Sequence, residues 1–249
     1  MNTVQNQHRQ QVILITGAAR GIGFAIAEKM SAAGHLLALN DIDAKMLNRA
    51  IDTFEQPDSR IIGLVGDVGQ PEDVEAMTAK TIKHFGRIDS LVNNAGIGGI
   101  GKILLELSID EWNEMLRVDL TSTFLFCKAV LPSMISQGRG RIVNIASITA
   151  MMGVAGSTHY AAAKAGVIGF SKSLAREVAD KRINVNVVAP GLIDTDMARK
   201  RGIDHQRHFV AWPRIGEPAD VAGVVAFLLS DQAEFITGQV ISPNGGAYM

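Results

Sequence analysis

Cys127 is the only cysteine in a chain of 249 residues, so no intrachain disulfide can form. That scarcity fits a reducing compartment, and a cytoplasmic protein is expected. No long Lys/Arg run occurs, the formal net charge is -1, and the pI is about 6.6. These exclude a basic nucleic-acid surface, so no nucleic-acid partner is expected. Residues 1–11 are polar and rich in Gln and Asn, lack the apolar stretch of a signal peptide, and are expected to be flexible. The longest apolar runs, such as residues 221–229, are too short to cross a bilayer, so no membrane partner is expected. No Pro/Gly/Ser-rich linker and no internal repeat breaks the chain, so residues 1–249 read as one domain. No metal is expected.

What the chain has is apolar content, 47% hydrophobic against 20% charged residues. At this length such a chain buries a large core without disulfides or metals. Short β-rich runs alternate with helix-period stretches. Strand-like runs fall at residues 12–16, 36–40, 61–65, 88–92, 141–146, 183–188 and 239–241. Between them, helical spacing covers residues 21–33, 44–55, 71–85, 110–136, 157–180 and 217–229, with Pro132 a possible kink or end. Continuous apolar strands separated by helices predict an α/β fold with a parallel sheet covered on both faces. Such doubly wound sheets bind ligands beyond the carboxyl ends of their strands.

Every chemical motif falls just after a strand. Thr16-Gly17-Ala18-Ala19-Arg20-Gly21-Ile22-Gly23 follows the first strand and opens a helix. Glycines let the backbone approach a pyrophosphate, and the helix N-terminus offers it free N–H groups. The bland alternative is a plain strand–helix connection. Asp41 ends the second strand, where a carboxylate can accept hydrogen bonds from an adenosine ribose. It would also repel a 2′-phosphate, which favours NAD over NADP. Arg20 argues the other way, because a guanidinium can hold a phosphate. Asp41 or Asp43 can instead be a helix N-cap. Asp67-Val68 and Asn93-Asn94-Ala95-Gly96 end the next two strands and can line the adenine and ribose, or be ordinary turn residues.

Ser147 closes the fifth strand, and Tyr160 and Lys164 follow at i, i+4 spacing on one helix face. Reducing a carbonyl needs a proton donor, and oxidising an alcohol needs a base. Free tyrosine titrates near pH 10. A neighbouring ammonium and an oxidised nicotinamide would stabilise its phenolate. The expected roles are proton transfer by Tyr160, electrostatic tuning and ribose contact by Lys164, and polarisation of the substrate oxygen by Ser147. A Tyr-x-x-x-Lys pair also occurs on ordinary surface helices. Only one other tyrosine exists, Tyr248. His159 is read as structural.

Taken together, these motifs resemble the short-chain dehydrogenase/reductase family from Val12 to Met249. Pro190-Gly191, Ile236-Thr237-Gly238-Gln239 and Gly245-Gly246 complete the pattern. The resemblance implies a single-domain Rossmann-type sheet of about seven strands, flanked by helices on both faces, and a nicotinamide cofactor. It implies the Ser147–Tyr160–Lys164 roles and places Pro190, Gly191, Ile193 and Thr195 near the nicotinamide. A homotetramer, sometimes a dimer, is the usual state of the family.

One position departs from that pattern. Many members carry an asparagine that holds a water in a proton relay through the lysine, and Asp119 takes its place here. A carboxylate can still orient a water, and it would favour charged Lys164 while opposing a tyrosinate. Residues 194–213 are expected to form a substrate lid, with Met197, Arg199, Lys200, Arg201, His205, Arg207, His208, Phe209 and Trp212. That basic segment can attract an anionic substrate or be a solvated helix face. Gly98-Gly99-Ile100-Gly101 and Met151-Met152-Gly153 add small, adaptable lining. The expected function is NAD(H)-dependent interconversion of a secondary alcohol and a ketone, with a small-molecule substrate. Reduction of 3-oxoacyl thioesters is the alternative substrate class. A non-catalytic NAD-binding regulatory or scaffold protein is the alternative of another kind. Loss of Tyr160 or Lys164 would mark it, and both are present.

Overall fold

A computed structural model describes residues 9–55, 60–99, 101–200 and 207–249. The expectations about residues 1–8, Ile100, Arg201 and His205 lie outside the described residues. The architecture is a seven-stranded parallel sheet in the order β3-β2-β1-β4-β5-β6-β7. Its strands are β1 (Val12–Ile15), β2 (Leu36–Asp41), β3 (Ile61–Val65), β4 (Ser90–Asn93), β5 (Gly140–Ile145), β6 (Ile183–Val188) and β7 (Val240–Ile241). The helices are α1 (Gly21–Ala32), α2 (Ala44–Ile51), α3 (Pro71–Phe85), α4 (Ile109–Leu116), α5 (Ser122–Gln137), α6 (Thr149–Met152), α7 (Thr158–Val178), α8 (Asp196–Arg199) and α9 (Pro218–Leu228).

Alternation along each strand explains the layering, because successive side chains point to opposite faces. Ile13 and Ile15 pack with Ile26 and Met30 of α1 and Val221 and Val225 of α9. Leu14, between them, faces the other side and packs with Met77 of α3, Phe126 and Val130 of α5 and Leu174 of α7. Both faces are therefore covered, which is why the strands read as unbroken apolar runs. β1 pairs with β2 on one side and β4 on the other, so the chain reverses its progress across the sheet there. A crevice opens at that switch point, outside the carboxyl ends of β1 and β4.

Three expectations are corrected. The stretch 110–136 is not one regular helix: α4 and α5 are joined by a π-helical turn, Arg117–Thr121, that carries Asp119. Pro132 does not end α5, which runs on to Gln137 and stops at Gly138 with φ 65°. The continuous helical segment Ile109–Gln137 is long and apolar enough to cross a membrane by length and composition alone, though charged residues interrupt it. Its Val118, Phe126, Val130 and Met134 are buried in the core, which accounts for the apolar content. Gln11 is not part of a loose tail either, since it accepts a hydrogen bond from Ser90 and donates one to the Leu229 carbonyl.

Candidate active site

The turn after β1 is built from bare backbone. Gly17 and Gly21 have φ of 61° and 57°, where glycine alone is unstrained. A Cβ on Gly23 would collide with the Gly17 carbonyl and lie 2.5 Å from Asn94 Nδ2. A Cβ on Gly17 would lie 2.9 Å from Ala95 Cα. Asn94 braces the turn, donating from Nδ2 to the Thr16 and Gly17 carbonyls at 2.9 and 3.0 Å. Thr16 Oγ1 accepts from the Asn94 and Ala95 amides. Asn94 therefore shapes the crevice rather than offering its amide to it. Arg20, the N-cap of α1, supplies no side-chain cap, so the opening turn of that helix is left for an anion. Gly21 faces Thr195 Cγ2, which a Cβ would meet at 3.5 Å. The cradle is shaped for a pyrophosphate and admits nothing larger than glycine at its tight points, so these residues fit a dinucleotide.

The acids at the end of β2 divide their work. Asp43 caps α2, accepting from the Lys45 and Met46 amides. Asp41 instead accepts from Ala19 N and Asp43 N, both at 3.1 Å, which fixes its carboxylate beside the glycine-rich turn. The Arg20 guanidinium reaches Met46 Sδ, at 3.9 Å, among the described residues. Val68 is buried. Asp67 is held by the Gly69 amide at 2.8 Å and by Arg117, with Nη1 2.9 Å from Oδ2. Burial works against the Asp67 carboxylate, but Arg117 and Gly69 outweigh it and hold its pKa below the usual carboxylate value. Nothing in the sequence pattern marked Arg117, which also pairs with Glu114 at 2.7 Å. It pins the π turn to the end of β3.

At the other end of the crevice, α7 carries Tyr160 and Lys164. Lys164 Nζ lies 5.8 Å from the Tyr160 ring centroid. It is 3.0 Å from Asp119 Oδ2 and donates to the Ile145 carbonyl at 3.2 Å. Both partners of the ion pair are buried, with side chains 6% and 0% exposed. Burial disfavours the ammonium, yet the Asp119 carboxylate, followed by Tyr160, outweighs it and raises the lysine above its usual value. Asp119 Oδ1 accepts from Ile97 N at 2.7 Å. A Cβ on Gly96 would sit 2.9 Å from Asp119 Oδ2 and 3.3 Å from Lys164 Nζ, so only glycine fits there. Ser147 Oγ accepts from Thr149 N at 3.2 Å, which orients it at the end of β5. Ile148 N donates to the Pro190 carbonyl, and Gly191 packs on Asn244, tying the serine loop to the segment after β6. His159 is buried beneath the loop after β4, where a Cβ on Gly99 would lie 2.6 Å from its Nε2. Cys127 is buried too, and burial pushes its thiol up to about 12, so it offers no thiolate.

Ile193 and Gly216, which flank residues 194–213 in the sequence, form an isolated parallel bridge. Arg199 is held by both Asp194 oxygens, at 2.7 and 2.9 Å. That pairing answers one of the positive charges expected there. Phe209 and Trp212 are exposed.

A family model described as "Enoyl-(Acyl carrier protein) reductase" matches residues 17–248. The chain is 43% identical over 242 residues to the 3-oxoacyl-(acyl-carrier-protein) reductase FabG of Escherichia coli (strain K12), covering 96% of this chain and 98% of that protein. It is 42% identical over 241 residues to the (2S)-((R)-hydroxy(phenyl)methyl)succinyl-CoA dehydrogenase subunit BbsD of Thauera aromatica, covering 96% of each. Among solved structures, a short-chain dehydrogenase/reductase titled glucose/ribitol dehydrogenase from Brucella melitensis matches with a TM-score of 0.91 at 34% identity, over 98% of both chains. Levodione reductase matches with a TM-score of 0.90 at 34% identity, over 96% of this chain and 98% of that one. A parallel sheet with a glycine-rich turn at its switch point is the architecture of the dinucleotide-binding folds. The chain belongs to the short-chain dehydrogenase/reductase family, whose members work with a nicotinamide cofactor.

Proposed function

We propose that this protein uses NAD(H) to interconvert a secondary alcohol and a ketone, with a 3-oxoacyl or 3-hydroxyacyl thioester as its substrate class. The observation that carries the redox reading is the Tyr160–Lys164 pair, one helical turn apart, with a buried ammonium beside the ring. The substrate class rests on the curated relatives, which are named for acyl-carrier-protein and CoA thioesters.

In this reading Gly17, Arg20, Gly21, Ile22 and Gly23 hold the pyrophosphate, and Asp41 holds the adenosine ribose. Asp67, Val68, Asn94, Ala95 and Gly96 form the wall between adenine and nicotinamide. Pro190, Gly191, Ile193 and Thr195 close over the nicotinamide end. When bound, the cofactor supplies the hydride to the carbonyl carbon or takes it from the alcohol. The Tyr160 hydroxyl gives its proton to the substrate oxygen in reduction and takes one back in oxidation. Ser147 donates a hydrogen bond to that same oxygen, and Lys164 supports the phenolate electrostatically and holds the nicotinamide ribose.

The preference for NAD rests on Asp41, which is held beside the glycine-rich turn and would repel a 2′-phosphate on a ribose bound there, while Arg20 is turned to Met46. The test is reduction of a short 3-oxoacyl thioester followed with NADH and with NADPH, beside keto-sugars and cyclic ketones. The expected outcome is turnover of the thioester with kcat/KM at least about tenfold higher for NADH, a difference of about 1.4 kcal/mol. A preference for NADPH would overturn the Asp41 assignment. Turnover of only keto-sugars or cyclic ketones would remove the thioester class and leave the redox chemistry standing.

A further inference from the structure

We propose that Asp119 is a positioning residue that makes a neutral buried pair with Lys164, so that this pair, and not a lone ammonium, sets the pH dependence of proton transfer at Tyr160. The inference rests on the Tyr160 reading above.

Three observations point to it. The Asp119 carboxylate is wholly buried and 3.0 Å from Lys164 Nζ, so water does little to screen either charge. Its other oxygen is fixed by the Ile97 amide at 2.7 Å, and the bare backbone of Gly96 lets the pair approach so closely that a Cβ there would sit 2.9 Å from Asp119 Oδ2 and 3.3 Å from Lys164 Nζ. The π turn, Arg117–Thr121, presents Asp119 to the site, and such turns gather at functional positions. The other charged or titratable groups around the pair do not offset it. His159, on the same helix, is buried against Gly99. Arg117, on the π turn, is itself answered by Asp67 and Glu114. Among the described residues, β5 contributes the Ile145 carbonyl and the loop after β4 the Ile97 amide.

Tyr160 thus faces an ammonium whose charge is cancelled at close range. A phenolate forming there gains from Lys164 and loses to Asp119. Removing the carboxylate's charge while keeping its shape leaves Lys164 with the Ile145 carbonyl and the phenolate as its partners. The phenolate then forms more easily.

The direct test is ultraviolet titration of tyrosinate in the native protein and in Asp119→Asn, without cofactor or substrate. Tyr160→Phe serves as the blank that removes Tyr248. The expected result is a Tyr160 transition displaced to lower pH by about one to two units in Asp119→Asn, the size of one unscreened charge at an effective dielectric near 20. The acid limb of log(kcat/KM) for alcohol oxidation is expected to move the same way. Coincident Tyr160 titrations in native and Asp119→Asn protein, or a displacement to higher pH, would overturn the proposal. Should Asp119→Asn fail to fold, Asp119→Ser takes its place, and the same displacement is required of it. Because the titration needs no turnover, it can fail while the redox reading stands. Full activity in Tyr160→Phe would sink that reading whatever the titration shows.

Discussion

Gly23 has no room for even one methyl group, since a Cβ there would run into the Gly17 carbonyl. Gly23→Ala is therefore expected to force the turn apart, at a cost of about 1–3 kcal/mol. NADH binding is expected to weaken at least about tenfold, or 1.4 kcal/mol. Thermal unfolding and fluorescence titration with NADH would read both effects, and native binding by Gly23→Ala would remove the cradle from the account. The glycine spacing was legible in the sequence because a strand, a turn and a helix leave their own local signals. The division of labour between Asp41 and Asp43 was not, since either acid can precede a helix. Only the amide each accepts from separates them. Asp119 was legible as a departure, but its contact with Lys164 joins positions 45 residues apart and has no local signature. The Arg117–Asp67 clamp was missed for the same reason.

At the scale of elements, α9 shows how a helix end couples to pH. Asp220 accepts from the Glu217 amide at 2.7 Å and pairs with Arg214 at 2.6 and 2.8 Å. The Arg214 hydrogen bond, then the Glu217 amide, lower its carboxyl to about 2. A folded value below the unfolded one of about 3.9 means the stabilisation is complete above that pH and fades as pH falls towards 2. The group is partly exposed, so solvent discounts it to about 0.5–1 kcal/mol. Asp220→Asn is expected to unfold at lower denaturant concentration at pH 7, with the gap narrowing as pH drops from 5 towards 2. A gap that stays constant over that range would show that charge plays no part. Most strand positions were legible to within a residue or two, because buried parallel strands are apolar throughout. The π turn was not, since Arg-Val-Asp-Leu-Thr contains no breaker and keeps the apolar spacing running. Pro132 misled in the opposite sense: it lies on the exposed side of α5, where the carbonyl it frees can be hydrated. Ser108 and Glu111 form a capping box that the Ser-x-x-Glu spacing announces, and the helical pattern from 110 onward drew attention past it.

At the scale of the molecule, the alternation of strands and helices was enough to give a parallel α/β sheet, and the motif positions placed the site at its carboxyl edge. The strand order, with β1 between β2 and β4, is a long-range property that no local pattern carries. It is what brings the glycine-rich turn, the loop after β4 and the Ser147 loop to one crevice. The substrate was least legible, because residues 194–213 carry charge and bulk but no motif specific to one substrate, and Arg199 among them is answered by Asp194. The central claim is that Tyr160 is the proton donor and acceptor of a nicotinamide oxidoreductase. It is tested most directly by the single-turnover rate of NADH oxidation in the native protein and in Tyr160→Phe, at saturating ketone. The account predicts a rate lower by about 10²–10⁴ in Tyr160→Phe with NADH affinity unchanged. A Tyr160→Phe protein that oxidises NADH at the native rate would contradict it.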